Sequence, residues 1–119
     1  MRIVIPVADM RGEILSEHFG RAPYFAWYEL EAGKIVDSGI IPNESEHFGG
    51  VGHPPDRILQ LKPNALITYG MGPRALNIFQ NARVAVLRAN TNTVREVIAA
   101  YINDELEELT EGCHQARHH

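Results

Sequence analysis

A chain of 119 residues with 45% hydrophobic and 22% charged side chains has the make-up of one ordinary globular domain, large enough to bury a core without staples. Its formal net charge of −4 argues against a broad basic face for nucleic acid, and its single cysteine excludes an internal disulfide or a four-thiolate metal centre within one copy. No apolar run approaches the roughly 20 residues that cross a bilayer, and the opening run is too short for a signal peptide, so a cytoplasmic protein with no membrane partner is expected.

Residues 2–7 are nearly all apolar and rich in Ile and Val, the pattern of a strand buried on both faces, with Pro6 expected near its end. A polar connection carrying Asp9 and Gly12 follows. The runs 23–30 and 35–41, joined at Glu31-Ala32-Gly33-Lys34, read as an antiparallel hairpin. Residues 42–52, with three glycines, form a loop.

Pro54-Pro55-Asp56 suits the first turn of a helix that Lys62-Pro63-Asn64 stops. Residues 65–69 are a short buried strand, 73–80 a helix with Ala75, Leu76 and Phe79 inward, and 84–87 a last strand. Thr93-Val94-Arg95-Glu96 has the form of a capping box, opening a helix expected to run to about Leu109. The order β-β-β-α-β-α-β-α predicts an α/β fold with a mixed five-stranded sheet and helices on both faces, as one domain over 1–109 with a polar tail over 110–119.

The chemistry concentrates between the first two strands. Ser16-Glu17-His18-Phe19-Gly20 is followed by Arg21-Ala22-Pro23 and returns letter for letter as Ser45 to Gly49. His18 offers an imidazole and Arg21 a fixed cation with several donors; alternatively His18 only serves the strand entry and Arg21 pairs with Glu17. If the two copies face one pocket, His18 and His47, with His53 nearby, could clasp a metal that neither holds alone. Two solvated loop histidines are the plain alternative.

Gly70-Met71-Gly72-Pro73 leads from a strand into a helix, where glycines admit a ligand to the backbone and free amides favour an anion. Arg74 would supply a second cation and Met71 a soft thioether; a tight turn and a core methionine are the structural alternatives. Cys113 and His114 pair a thiolate with an imidazole in the tail; an unstructured tail is the plain alternative. Two-metal phosphodiester chemistry needs converging carboxylates, and only Asp9 lies past the first strand, so a nuclease is disfavoured.

The block Ser16-x-His18-Phe19-Gly20-Arg21-Ala22-Pro23-x-Phe25, with Gly70-Met71-Gly72, resembles the dinitrogenase iron-molybdenum cofactor biosynthesis family, along the chain from Met1 to about Leu109. The resemblance implies a ribonuclease H-like, three-layer fold. It also implies a non-enzymatic role: binding, carrying or delivering an iron-sulfur cluster or iron-molybdenum-type cofactor between donor and recipient proteins. On that reading His18, Arg21, Gly70, Met71, Gly72, Arg74, His47 and His53 are the cofactor-binding candidates, and His18, Cys113 and His114 the metal candidates. A homodimer could bring two tails together. The alternative is a regulatory module that binds a small anionic metabolite at the Gly70-Met71-Gly72 helix start.

Overall fold

The computed structural model describes residues 1–43 and 54–110. Its strands are β1 (Arg2–Val7), β2 (Tyr24–Glu31), β3 (Lys34–Pro42), β4 (Ala65–Thr68) and β5 (Ala85–Arg88), and its helices α1 (Pro54–Leu59), α2 (Pro73–Asn81) and α3 (Val94–Ile102). The strands form one mixed sheet in the order β3-β2-β1-β4-β5. β1 and β2, and β2 and β3, pair antiparallel, whereas β4 pairs parallel to both β1 and β5. This is the mixed five-stranded sheet that the element order predicts, and it is compatible with a ribonuclease H-like arrangement.

The apolar run in β1 stands at the centre of the sheet because it feeds two cores. Ile3, Ile5 and Val7 point to one face, where α3 lays Val94, Val97 and Ile98 over them. Val4 points to the other, with Phe25, Leu66 and Val86, beneath Ile58 of α1 and Leu76 and Phe79 of α2. Alternation along a strand sends neighbours to opposite faces, so a near-continuous apolar sequence is what a doubly covered strand requires. Pro6 is tolerated in this central strand because the β1–β4 ladder has ended at Val4; beyond it, the Pro6 carbonyl accepts the Ser16 amide at 3.0 Å.

Two expectations at α3 are corrected. The capping box does not close: Thr93 makes no side-chain cap, and the Glu96 carboxylate instead accepts the Thr91 hydroxyl at 3.0 Å. The helix also stops at Ile102 rather than near Leu109. Asp104 takes a left-handed conformation at φ 60°, its amide bonding to Tyr101 O at 3.0 Å and that of Glu105 to Ala100 O at 2.9 Å. That hydrogen-bond pair is a Schellman ending, which reverses the chain. Residues 106–109 then run alongside β5, with Arg88 N–H donating to Glu107 O and Leu109 N–H to Val86 O. Leu106 packs on the α3 side and Leu109 on the α2 side, so this strap closes both cores at the β5 edge.

Candidate functional site at the carboxyl ends of the parallel strands

The His18 segment is built from its neighbours inward. After β1 the chain makes a short excursion, held by the Asp9 carboxylate, which accepts the amides of Glu13 (3.0 Å) and Ile14 (3.1 Å). Asp9 therefore works as a loop cap. Leu15 N–H is tied to Asn92 O at 2.9 Å and Ser16 N–H to Pro6 O, so the segment leaves from the carboxyl end of β1 beside the β5–α3 connection. The buried Ser16 hydroxyl donates to His18 O at 2.9 Å and accepts His18 N–H at 3.3 Å, forming a tight polar turn. His18 is exposed on that turn.

Phe19 anchors the segment. It is buried against Phe79 of α2, edge to face, with ring centroids 5.7 Å apart and planes at 89°. Gly20 and Arg21 follow at the surface, and Ala22 returns to the same core. The Ala22 carbonyl accepts the side-chain amide of buried Asn43 at 2.8 Å, while Asn43 N–H donates to Pro23 O at 2.9 Å. Thus the entry to β2 and the exit from β3 are stitched together.

The second wall is the β4–α2 turn. Met71 is 4% exposed and packs with Phe19, Leu76 and Phe79, so its thioether belongs to the core and only its backbone can face a ligand. This corrects the soft-ligand reading of Met71. Gly72 is the N-cap of α2 with φ −66° and ψ 163°, followed by Pro73, and no side chain caps the helix start. Arg74 is exposed in the first turn. Tyr69, just before the turn, is held above its ordinary phenol range by burial and by the nearby Glu17 carboxylate.

The glycines are informative because the fold does not demand them. Gly20 and Gly72 are absent from the positive-φ residues, and a Cβ built on either meets nothing within 4 Å. Neither left-handed backbone nor internal crowding explains them, which overturns the tight-turn reading for Gly72. Both face open space. Arg21 and Arg74 make no ion pair among the described residues, so the Arg21–Glu17 alternative is not what the chain adopts.

The structure thus brings His18, Arg21, Gly70, Met71, Gly72 and Arg74 into two adjoining walls, joined by Phe19 and Phe79. His47, His53, Cys113 and His114 lie outside the described residues, as does the repeat at 45–49. Among the described residues no three His, Cys, Asp or Glu side chains group together as a metal-binding set. Sequence reasoning missed Tyr69 and Asn43: an isolated tyrosine after a strand and an isolated asparagine after another carry no spacing signal. What the walls can do chemically is receive an anionic group. They offer fixed cations, helix-start amides without a side-chain cap and an imidazole.

Fold and site together define a small α/β domain with an open, glycine-walled end. The chain belongs to the dinitrogenase iron-molybdenum cofactor family, whose model matches residues 1–104. A curated relative, uncharacterized protein MJ0580 of Methanocaldococcus jannaschii, is 33% identical over 111 residues, covering 92% of each chain. Among solved structures, a Thermotoga protein provisionally named a NifB protein is 28% identical at a TM-score of 0.71, covering 92% of this chain and 93% of its own. The apo orange protein of Desulfovibrio gigas shares the fold at a TM-score of 0.77 and 16% identity, covering 92% of this chain and 93% of its own.

Proposed function

We propose that this protein is a non-enzymatic carrier that binds and hands on a preassembled iron-sulfur-type cofactor at the carboxyl ends of β1 and β4. The observation that carries the reading is the pair of uncrowded glycines, Gly20 and Gly72, on two walls fixed to one another by Phe19 and Phe79. Small residues facing open space leave room for a bulky ligand to approach the backbone. Arg21 and Arg74, exposed and close to these glycines along the chain, suit a negatively charged cargo.

The donor set fits a cargo that brings its own bridging sulfides better than a bare ion that must be coordinated from scratch. His18 would contribute one imidazole to an exposed metal of the cargo, and the arginines and α2 amides would neutralise its anionic surface. Cys113 and His114 remain candidate further ligands from the tail. The family's name, and the NifB name of the Thermotoga relative, support a cofactor-related role.

The test is anaerobic purification with element analysis, followed by reconstitution with iron and sulfide. A bound chromophore with charge-transfer absorbance, weakened in His18→Ala, is expected. Metal-free protein that takes up no chromophore, yet gains thermal stability from a phosphate- or carboxylate-bearing compound, would replace this reading with an anionic-metabolite module.

A further inference from the structure

At the end of the sheet opposite the glycine walls lies a surface the proposed carrier role does not use. Met1, Ile35 and Ile102 are 57%, 49% and 40% exposed. They are neighbours through a continuous set of contacts. Met1 exchanges backbone hydrogen bonds with Leu30 (2.7 and 3.1 Å), Leu30 stands opposite Ile35 on the β2–β3 hairpin, and the Tyr101 hydroxyl donates to the Met1 sulfur at 2.6 Å. Ile102 lies over the hairpin turn, its Cγ2 3.6 Å from where a Gly33 Cβ would stand. Leu30 and Tyr101 pack with the α3-side core, which places this patch on the α3 face of the sheet.

Its border is acidic. Asp104 and Glu105 follow Ile102 at the α3 ending, both exposed and in no ion pair among the described residues, and the Asp104 charge lies near enough to Tyr101 to help burial hold that phenol above its ordinary range. The adjacent positive charge, the Met1 ammonium, is already held by Glu29 at 2.9 Å. Lys34 is the other cation near the turn, and Glu31 stands directly opposite it.

The extent of the patch bears on the occupant. Three half-exposed side chains offer on the order of a few hundred Å², within the range of the largest apolar patch on a monomer. A stable dimer buries about 800 Å² on each partner. A second copy would also bring Asp104 and Glu105 towards their own like charges. The outer edge of β3 is poorly suited to pairing with a partner strand, because a bulge between the Glu29–Asp37 and Leu30–Ile35 pairs and the terminal Pro42 both interrupt it. The size and sign fit one short helix with an apolar stripe bordered by lysine or arginine.

We infer that the Met1–Ile35–Ile102 patch is a docking surface for a protein partner that presents a short, basic amphipathic helix, leaving the glycine-walled end free for cargo. Such an arrangement lets a donor or recipient hold the carrier without covering its site. The inference does not depend on the identity of the cargo.

Binding of two labelled helical peptides to the full chain, followed by fluorescence anisotropy, tests it. The peptides carry the same leucine stripe, bordered in one by lysines and in the other by glutamates. The lysine peptide is expected to bind at least tenfold more tightly, to lose tenfold or more in Ile102→Asp and in Asp104→Lys, and to be unaffected by His18→Ala. Circular dichroism and thermal melting confirm that each variant is folded. Equal binding of both peptides, or unchanged binding by folded Ile102→Asp, overturns the inference. So does concentration-dependent self-association in sedimentation that Ile102→Asp abolishes, because it would assign the patch to a second copy.

Discussion

Phe19 and Phe79 meet edge to face at 5.7 Å, and this contact joins the His18 segment to α2. Both rings are buried in the α2-side core, so the segment's position depends on their packing. Phe19→Ala should cost about 3 kcal/mol or somewhat more, the range for a buried phenylalanine truncated to leave a cavity. Urea unfolding measures that loss. Amide exchange should in addition show faster opening of residues 17–22 than the global loss explains, because their main apolar anchor is gone. Phe19→Leu should recover most of both effects.

A second prediction concerns Gly39, directly opposite Trp27 on the β2–β3 ladder. A Cβ there would stand 2.5 Å from the indole Nε1. The indole cannot retreat freely, since it packs against the α2-side core and the Arg2 guanidinium lies 4.7 Å from the ring centroid. Gly39→Ala should therefore destabilise the protein by about 1–3 kcal/mol through overpacking, with a shift in tryptophan emission as the ring is displaced. A thermal melt at the wild-type midpoint would show that the space is not filled as drawn.

The contrast between glycines marks what was legible in the sequence. Apolar runs, helical spacing and turn residues revealed each strand and helix among the described residues, because burial on one or two faces writes itself into apolar spacing, as in Ile3 to Val7. It failed where tertiary contacts overrode local preference. Glu105 to Leu109 favours helix by composition, yet the Asp104 reversal sends these residues along β5, where Leu106 and Leu109 each reach a core. The Thr93 cap failed for a similar reason: Thr91 reaches the same glutamate first. For the site, the His18 to Pro23 block and the Gly70 turn stood out by composition. That Phe19 joins them, that Met71 turns inward, and that Gly20 and Gly72 face open space are properties of the packed chain with no trace in spacing.

Acid should act through Glu29. The hydrogen bond from the Met1 ammonium lowers its pKa from the ordinary 4.5; desolvation works against that, and the Arg2 guanidinium at 3.1 Å works with it. A carboxylate depressed by folding contributes stability that is present above its unfolded pKa and lost as pH falls through the folded value. The loss should therefore begin below about pH 5 and continue beneath the ordinary carboxylate value. Because the group is solvent-screened, the effect should be small and shrink with salt. Glu29→Gln should flatten this acid limb in melts recorded from pH 7 to 3 while changing little at neutral pH.

Stability and cargo binding should separate at Gly72. As the N-cap of α2 in extended conformation, this position is favourable for serine, whose hydroxyl would accept an amide of the first turn. Nothing within 4 Å obstructs the new Cβ. Gly72→Ser should thus leave stability unchanged or raise it by a few tenths of a kcal/mol. If the open space is the cargo's, the same Cβ and hydroxyl intrude on it and occupy the amides an anion would use, so uptake of the reconstituted chromophore should fall several-fold. Gly20→Ala provides the matching test on the other wall, with a stability change within about 0.5 kcal/mol. Should both variants melt as wild type and take up cargo as well as wild type, the open space beside these glycines is not where the cargo sits. The Phe19–Phe79 contact would then be a core feature only, and the search for ligands would move to residues beyond the two walls.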